Sequence, residues 1–200
     1  MSSISANITN EPSVDARPRV TSLMRYTPVA QLLHWLTALL MFAVIPVGWH
    51  MTMLARDNPH RETWYTVHKS IGLTILALAI LRLAWRWRYP PPPLPGTMAS
   101  VERFAATLSH WLLYAALLFM PASGYLFSAA GNHPVVWFGL ITVPVVVPQN
   151  PALASLGQAL HLAGQWATYG LIILHVFAAT WHIVVRRDGV LERILPAQDS

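Results

Sequence analysis

The 200-residue chain contains no cysteine. That excludes structural disulfides, cysteine metal sites, iron–sulfur clusters and covalent haem attachment through a CxxCH motif. A cofactor here must be held by histidine, carboxylate or shape. Charge is also scarce: Asp, Glu, Lys and Arg make up 10% of the residues, against 54% hydrophobic ones, and the mean hydropathy is +0.44. A soluble domain carries about 25% charged residues, so the deficit points to a membrane. The net charge of +5 does not argue for nucleic acid. The basic residues sit in short clusters at the ends of apolar runs, as in a membrane protein, and no basic patch interleaved with aromatics occurs. Nor does the N-terminus read as a signal peptide. Residues 1–24 are polar, with Glu11, Asp15 and two prolines, and lack an apolar core followed by a cleavage site. They are expected to form a disordered cytoplasmic tail.

Four stretches are long and apolar enough to span a bilayer, at roughly 29–51, 65–87, 101–128 and 156–185. The run YPPPPLPG at 89–96 cannot continue a helix and reads as an extended connector. WFGLITVPVVV at 137–147 is too short to span and is bounded by prolines, so an interfacial or re-entrant loop is expected there. Arginines precede span one (Arg17, Arg19, Arg25), separate spans two and three (Arg82, Arg86, Arg88, Arg103) and follow span four (Arg186, Arg187, Arg193). The opposite side has only Arg56, Arg61 and Lys69. By the positive-inside rule both termini face the cytoplasm.

Within these spans the informative residues are histidines. His161 and His175 lie 14 residues apart on span four. In a helix this is a rise of about 21 Å and a rotation about 40° short of four full turns, so both rings project from nearly the same side at different depths. Imidazoles on an apolar helix need partners inside hydrocarbon. With alternating span directions, His34 falls at the inner depth of His175, and His68 at the outer depth of His161. Each pair can ligate one haem iron axially. Bis-histidine ligation favours electron transfer over gas binding because no axial position stays open. Gly72, one turn after His68, leaves room for a flat ligand.

Other roles compete. Any of the four histidines can serve as an interhelical hydrogen bond or a proton relay. His110 lies at inner depth on span three and can replace His34 or His175. His50 competes at the outer site, His182 reads as interfacial, and His60 and His133 read as surface residues. Arg82 either snorkels to the interface or meets a haem propionate. The chain is therefore expected to be an all-α membrane protein, a four-helix transmembrane bundle enclosing two haems. A transporter with histidine proton relays is the alternative, and the lack of intramembrane carboxylates weighs against it.

The segments RYTPVAQLLHWLTALLMF, YTVHKSIGLTILALAILRLAWRWRYPPPPLP, LSHWLLYAALLFMPASGYLF and HLAGQWATYGLIILHVFAATWHIVVRRDGVLERILP, in this order and spacing, resemble the prokaryotic cytochrome b561 family. The resemblance covers residues 25–196. It implies a dihaem cytochrome of the bacterial inner membrane, with two b-type haems on His34, His68, His161 and His175. It further implies electron exchange with a quinone of the respiratory chain, ubiquinone being the expected acceptor. His110 and Arg82 are then expected at a haem propionate or the quinone site. One branch of the family is similar to superoxide oxidases. In that reading superoxide gives its electron on the outer side, steered by Arg56, Arg61, Lys69 and His133. Another redox protein is the alternative donor, the chain then serving as a haem-bearing anchor or relay subunit for a dehydrogenase.

Overall fold

The computed structural model describes residues 24–196; the expected N-terminal tail lies almost wholly outside them. Four long helices form: α1 (Pro28–Met53), α2 (Arg61–Arg88), α3 (Ser100–Ala130) and α4 (Pro151–Trp181). All four are long and apolar enough to cross a membrane. Their outward faces carry exposed side chains such as Leu39, Phe42, Ile80, Phe104, Ile173 and Phe177. In lipid this is the normal distribution, because hydrocarbon solvates these groups as well as a protein core does.

The helix starts have local causes. Thr27 caps α1, its hydroxyl accepting from the Ala30 N–H, and Pro28 follows in the first turn. Asn150 caps α4, its side chain accepting from the Ala152 and Leu153 N–H groups, and Pro151 follows. Proline in the first turn forfeits no hydrogen bond and its fixed φ suits the helix. Helix α4 thus begins five residues before the expected span. It ends in a wider π-turn, His182–Arg186, closed by Arg187 in the left-handed conformation (φ 51°).

Helix α2 is the centre of the packed core. Its Ile71, Ile75 and Ala79 join Leu117 of α3, flanked by Leu40, Met41, Val44 and Val47 of α1. Helix α4 contributes nothing to this cluster and packs along α3 alone. Gly157 makes that approach possible: a Cβ there would lie 2.5 Å from the Phe127 backbone nitrogen. A gap is left between α4 and the pair α1–α2, bridged by side chains. At one rim the Trp49 indole N–H donates to the Tyr169 hydroxyl at 3.0 Å.

The stretch at 137–147 forms no further helix. Two short antiparallel strands, β1 (Val136–Trp137) and β2 (Ile141–Thr142), make a hairpin. Its turn places Phe138 (φ 47°) and Gly139 (φ 74°) in the left-handed region, and the Leu140 N–H donates to the Trp137 carbonyl. Two consecutive positive φ values are what a mirror-image hairpin turn demands. The hairpin docks on α2, where buried Ser70 accepts the Phe138 N–H at 2.7 Å and Thr74 accepts the Trp137 indole N–H at 3.1 Å.

Both ends of the described chain meet at the opposite end of the bundle. The Arg25 guanidinium donates to the carbonyls of Glu192, Leu195 and Pro196. Arg193, itself buried, donates to the carbonyls of Met24 and Pro93. The Trp35 indole N–H reaches the Ile194 carbonyl at 3.0 Å. The two ends of the molecule are called the hairpin end and the terminal end below.

Candidate functional site

The gap beside α4 holds two histidine pairs. At the hairpin end His68 of α2 faces His161 of α4, with ring centroids 6.1 Å apart. Toward the terminal end His34 of α1 faces His175 of α4 at 6.3 Å. Metal–imidazole bonds run about 2.0–2.1 Å; with each ring centre roughly 1.1 Å further on, two axial imidazoles on one metal sit about 6.3 Å apart, centre to centre. Both pairs have that spacing. His110 of α3 is closer to His175, at 5.5 Å. The sequence leaves His34 and His110 as rivals at this depth, and the ring spacing favours His34. Among the described residues no group of three or more His, Asp or Glu side chains is arranged to hold a bare metal ion. A haem differs in needing only two protein ligands, since the porphyrin supplies the rest.

The donor atoms at the hairpin end suit this. The His161 Nδ1 lies 2.9 Å from the Met120 carbonyl oxygen. A carbonyl can only accept, so Nδ1 carries the proton and Nε2 keeps its lone pair for a metal. The hydroxyl of Ser123 stands 3.2 Å from the same Nδ1. The His68 Nδ1 is buried without a well-formed hydrogen bond. Two glycines make room for the rings. A Cβ at Gly48 would come within 3.0 Å of His68, and one at Gly124 within 3.1 Å of His161. Gly72 differs, having no neighbouring atom within 4 Å of its Cβ direction. It lines a cavity of about 390 Å³ together with His68 and His161. The residues present therefore fit a flat, axially ligated group.

The pair toward the terminal end has another setting. The Arg82 Nη2 lies 3.2 Å from the His34 Nδ1, and its guanidinium carbon stands 5.3 Å from the Tyr114 ring centre. Arg82 is thus turned into the bundle, not out toward the interface. Guanidinium only donates, so the His34 Nδ1 accepts and the proton of the neutral ring sits on Nε2. Arg86 lies over Trp111 and Tyr114.

The remaining histidines are elsewhere. His50 is exposed and packs edge-on against Trp64, away from the His68–His161 pair. His182 pairs with Asp188 at 2.7 Å. His60 precedes α2, and His133 lies in the loop after α3; both are exposed. Sequence reasoning missed Gly48, Gly124 and Ser123, because their value depends on which way the neighbouring helices face.

The family model described as prokaryotic cytochrome b561 matches residues 25–197. The chain is 33% identical over 184 residues to cytochrome b561 homolog 2 of Escherichia coli (strain K12), covering 88% of this chain and 94% of that protein. It is 28% identical over 178 residues to cytochrome b561 homolog 1 of the same organism, covering 86% of this chain and 97% of that protein. With four membrane-spanning helices and a match along nearly its whole length, the chain belongs to the prokaryotic cytochrome b561 family, membrane cytochromes of the b type that transfer electrons.

Proposed function

We propose that residues 25–196 form a dihaem cytochrome that carries electrons across the bacterial inner membrane to a quinone, with ubiquinone as the acceptor. His68 and His161 hold the outer haem; His34 and His175 hold the inner one. The observation that carries this reading is the pair of ring spacings, 6.1 and 6.3 Å, at two depths along one helix. When bound, such haems supply one-electron redox chemistry at iron with both axial positions filled. The chain's own part is to hold the rings, exclude water and set the surrounding charge. Ile75 and Leu117 of the packed core line the cavity that His68 and His161 enter. The buried hydroxyls of Thr37 and Thr168 are tied to carbonyls of their own helices, at 2.6 and 2.8 Å. Among the described residues no titratable side chain belongs to this core.

At the terminal end, holding a haem through the His34 Nε2 would put the ring's proton on Nδ1, the nitrogen that Arg82 contacts at 3.2 Å. Arg82 would then be free to donate to a carboxylate of the haem, a stronger acceptor than an imidazole nitrogen. His110, beside His175 but off the axial spacing, is left for the propionate or the quinone. The basic residues gathered at this end support a cytoplasmic position for it and for both ends of the described chain.

Superoxide is our choice of outer donor. Two superoxide anions give two electrons and leave as two molecules of O₂, while one quinone takes two electrons and two protons to become quinol. Stopped-flow mixing of the purified protein with superoxide and a soluble quinone analogue tests this. Haem reduction on the millisecond scale, followed by quinol formation in that stoichiometry, is expected. Haems that quinol reduces but superoxide leaves oxidised would overturn superoxide as donor and point to a partner protein instead.

A further inference from the structure

Three side chains one turn apart on α2, Arg61, Tyr65 and Lys69, descend from the hairpin-end rim toward His68. Residues spaced by four share one helix face. Tyr65 and Lys69 both line the cavity that His68 and His161 enter. The Arg61 Nη2 donates to the Tyr65 hydroxyl at 3.0 Å, and its guanidinium carbon lies 4.6 Å from the Tyr65 ring centre.

The cations of this ladder are under-used. Among the described residues Lys69 has neither an ion-pair partner nor a side-chain hydrogen bond, although it stands in the wall of a largely apolar cavity. The Arg61 Nε is buried with no hydrogen-bond partner. Its one acidic neighbour, Glu62, is 3.8 Å from Nη1 and exposed. Lys69 is only partly exposed, and an ammonium so placed beside an open cavity is stabilised by an anion brought to it, a carboxylate serving best. Among the described residues no Asp or Glu lines that wall to serve instead.

We propose that Lys69, supported by Tyr65 and Arg61, anchors a carboxylate arm of the flat group held between His68 and His161, namely a haem propionate. The assignment rests on the haem reading of that cavity. It makes Lys69 a positioning residue that also sets local charge. A free small anion such as superoxide shares the same chemistry of recognition, and the two sources separate experimentally.

The test is redox titration of the purified, haem-loaded full chain, following each haem's absorption, for wild type, Lys69→Met and Lys69→Arg. Net charge beside a haem sets its potential. Losing the cation next to the outer haem therefore disfavours the added electron. The expected result is a lower midpoint potential for one haem in Lys69→Met, an unmoved second haem, and recovery in Lys69→Arg. Loss of one haem in Lys69→Met that Lys69→Arg prevents supports the assignment equally. Unmoved potentials, with superoxide oxidation slowed and its salt dependence flattened, assign Lys69 to the free anion and overturn the proposal. Unmoved potentials with unchanged rates make Lys69 a snorkelling residue and also overturn it. Loss of one haem in both variants gives Lys69 a packing role and overturns the proposal as well. A wild-type protein without haem overturns the underlying reading and the assignment with it.

Discussion

His161→Ala protein is expected to retain one haem, and His68→Ala protein the same one, because in the proposed arrangement the two rings serve a single iron. His34→Ala and His175→Ala lose the other. The grouping matters more than the losses, since any disruptive change can shed a cofactor. Matching spectra within each group and different spectra between groups are expected, read as the reduced absorption bands of each purified variant. The geometry behind this is that α4 supplies one ring to each pair and packs only on α3, so both sites open onto the same gap. His110 gives the sharpest contrast. Its ring lies 5.5 Å from that of His175, against 6.3 Å for His34. His110→Ala therefore keeps both haems. Two haems in His34→Ala together with one in His110→Ala would reverse the assignment at the terminal end.

The second large effect needs no ligand to change. Gly124→Leu is expected to lose the outer haem although His68 and His161 are both unsubstituted. Even a Cβ at position 124 meets the His161 ring at 3.1 Å, touching both Cε1 and Nδ1. A branched side chain has to push the ring off its axis and away from the Met120 carbonyl that orients it. Overpacking of this kind costs about 1–3 kcal/mol, and disturbing the group that orients a metal-binding histidine costs about 10–100-fold in affinity. Gly48→Leu has the same outcome from the other side, where a Cβ approaches His68 at 3.0 Å. Gly170→Leu is the control. It is exposed, and nothing lies within 4 Å of the position its Cβ would take. Haem content and thermal stability, measured for all three, should change in the first two and stay at wild-type values in the third. Equal loss in Gly170→Leu would mean that glycine-to-leucine changes destabilise the bundle generally.

Much of this architecture is legible in the sequence. The four spans follow from charge-poor runs, because hydrocarbon leaves few other options for such segments. The pairing by depth follows from the helical rise between His161 and His175. Boundaries are less legible. The Asn150–Pro151 start signal of α4 lies inside a proline-rich loop, where it reads as one more turn. The hairpin at 136–142 is hidden because apolar alternation over so few residues does not distinguish a strand from a loop; its register is set by Ser70 and Thr74 on another element. Side-chain direction is the least accessible. That Arg82 turns inward to His34, and that Gly124 faces a histidine ring, depends on the rotation of each helix about its axis. Core packing sets that rotation, and spacing along one helix does not.

The central claim is that one chain holds two haems between two histidine pairs. The most direct measurement is the haem-to-chain ratio of purified wild-type protein, from the reduced absorption spectrum and an independent protein determination. Bands of the b type and two haems per chain are predicted. A single haem, or none, would contradict the claim.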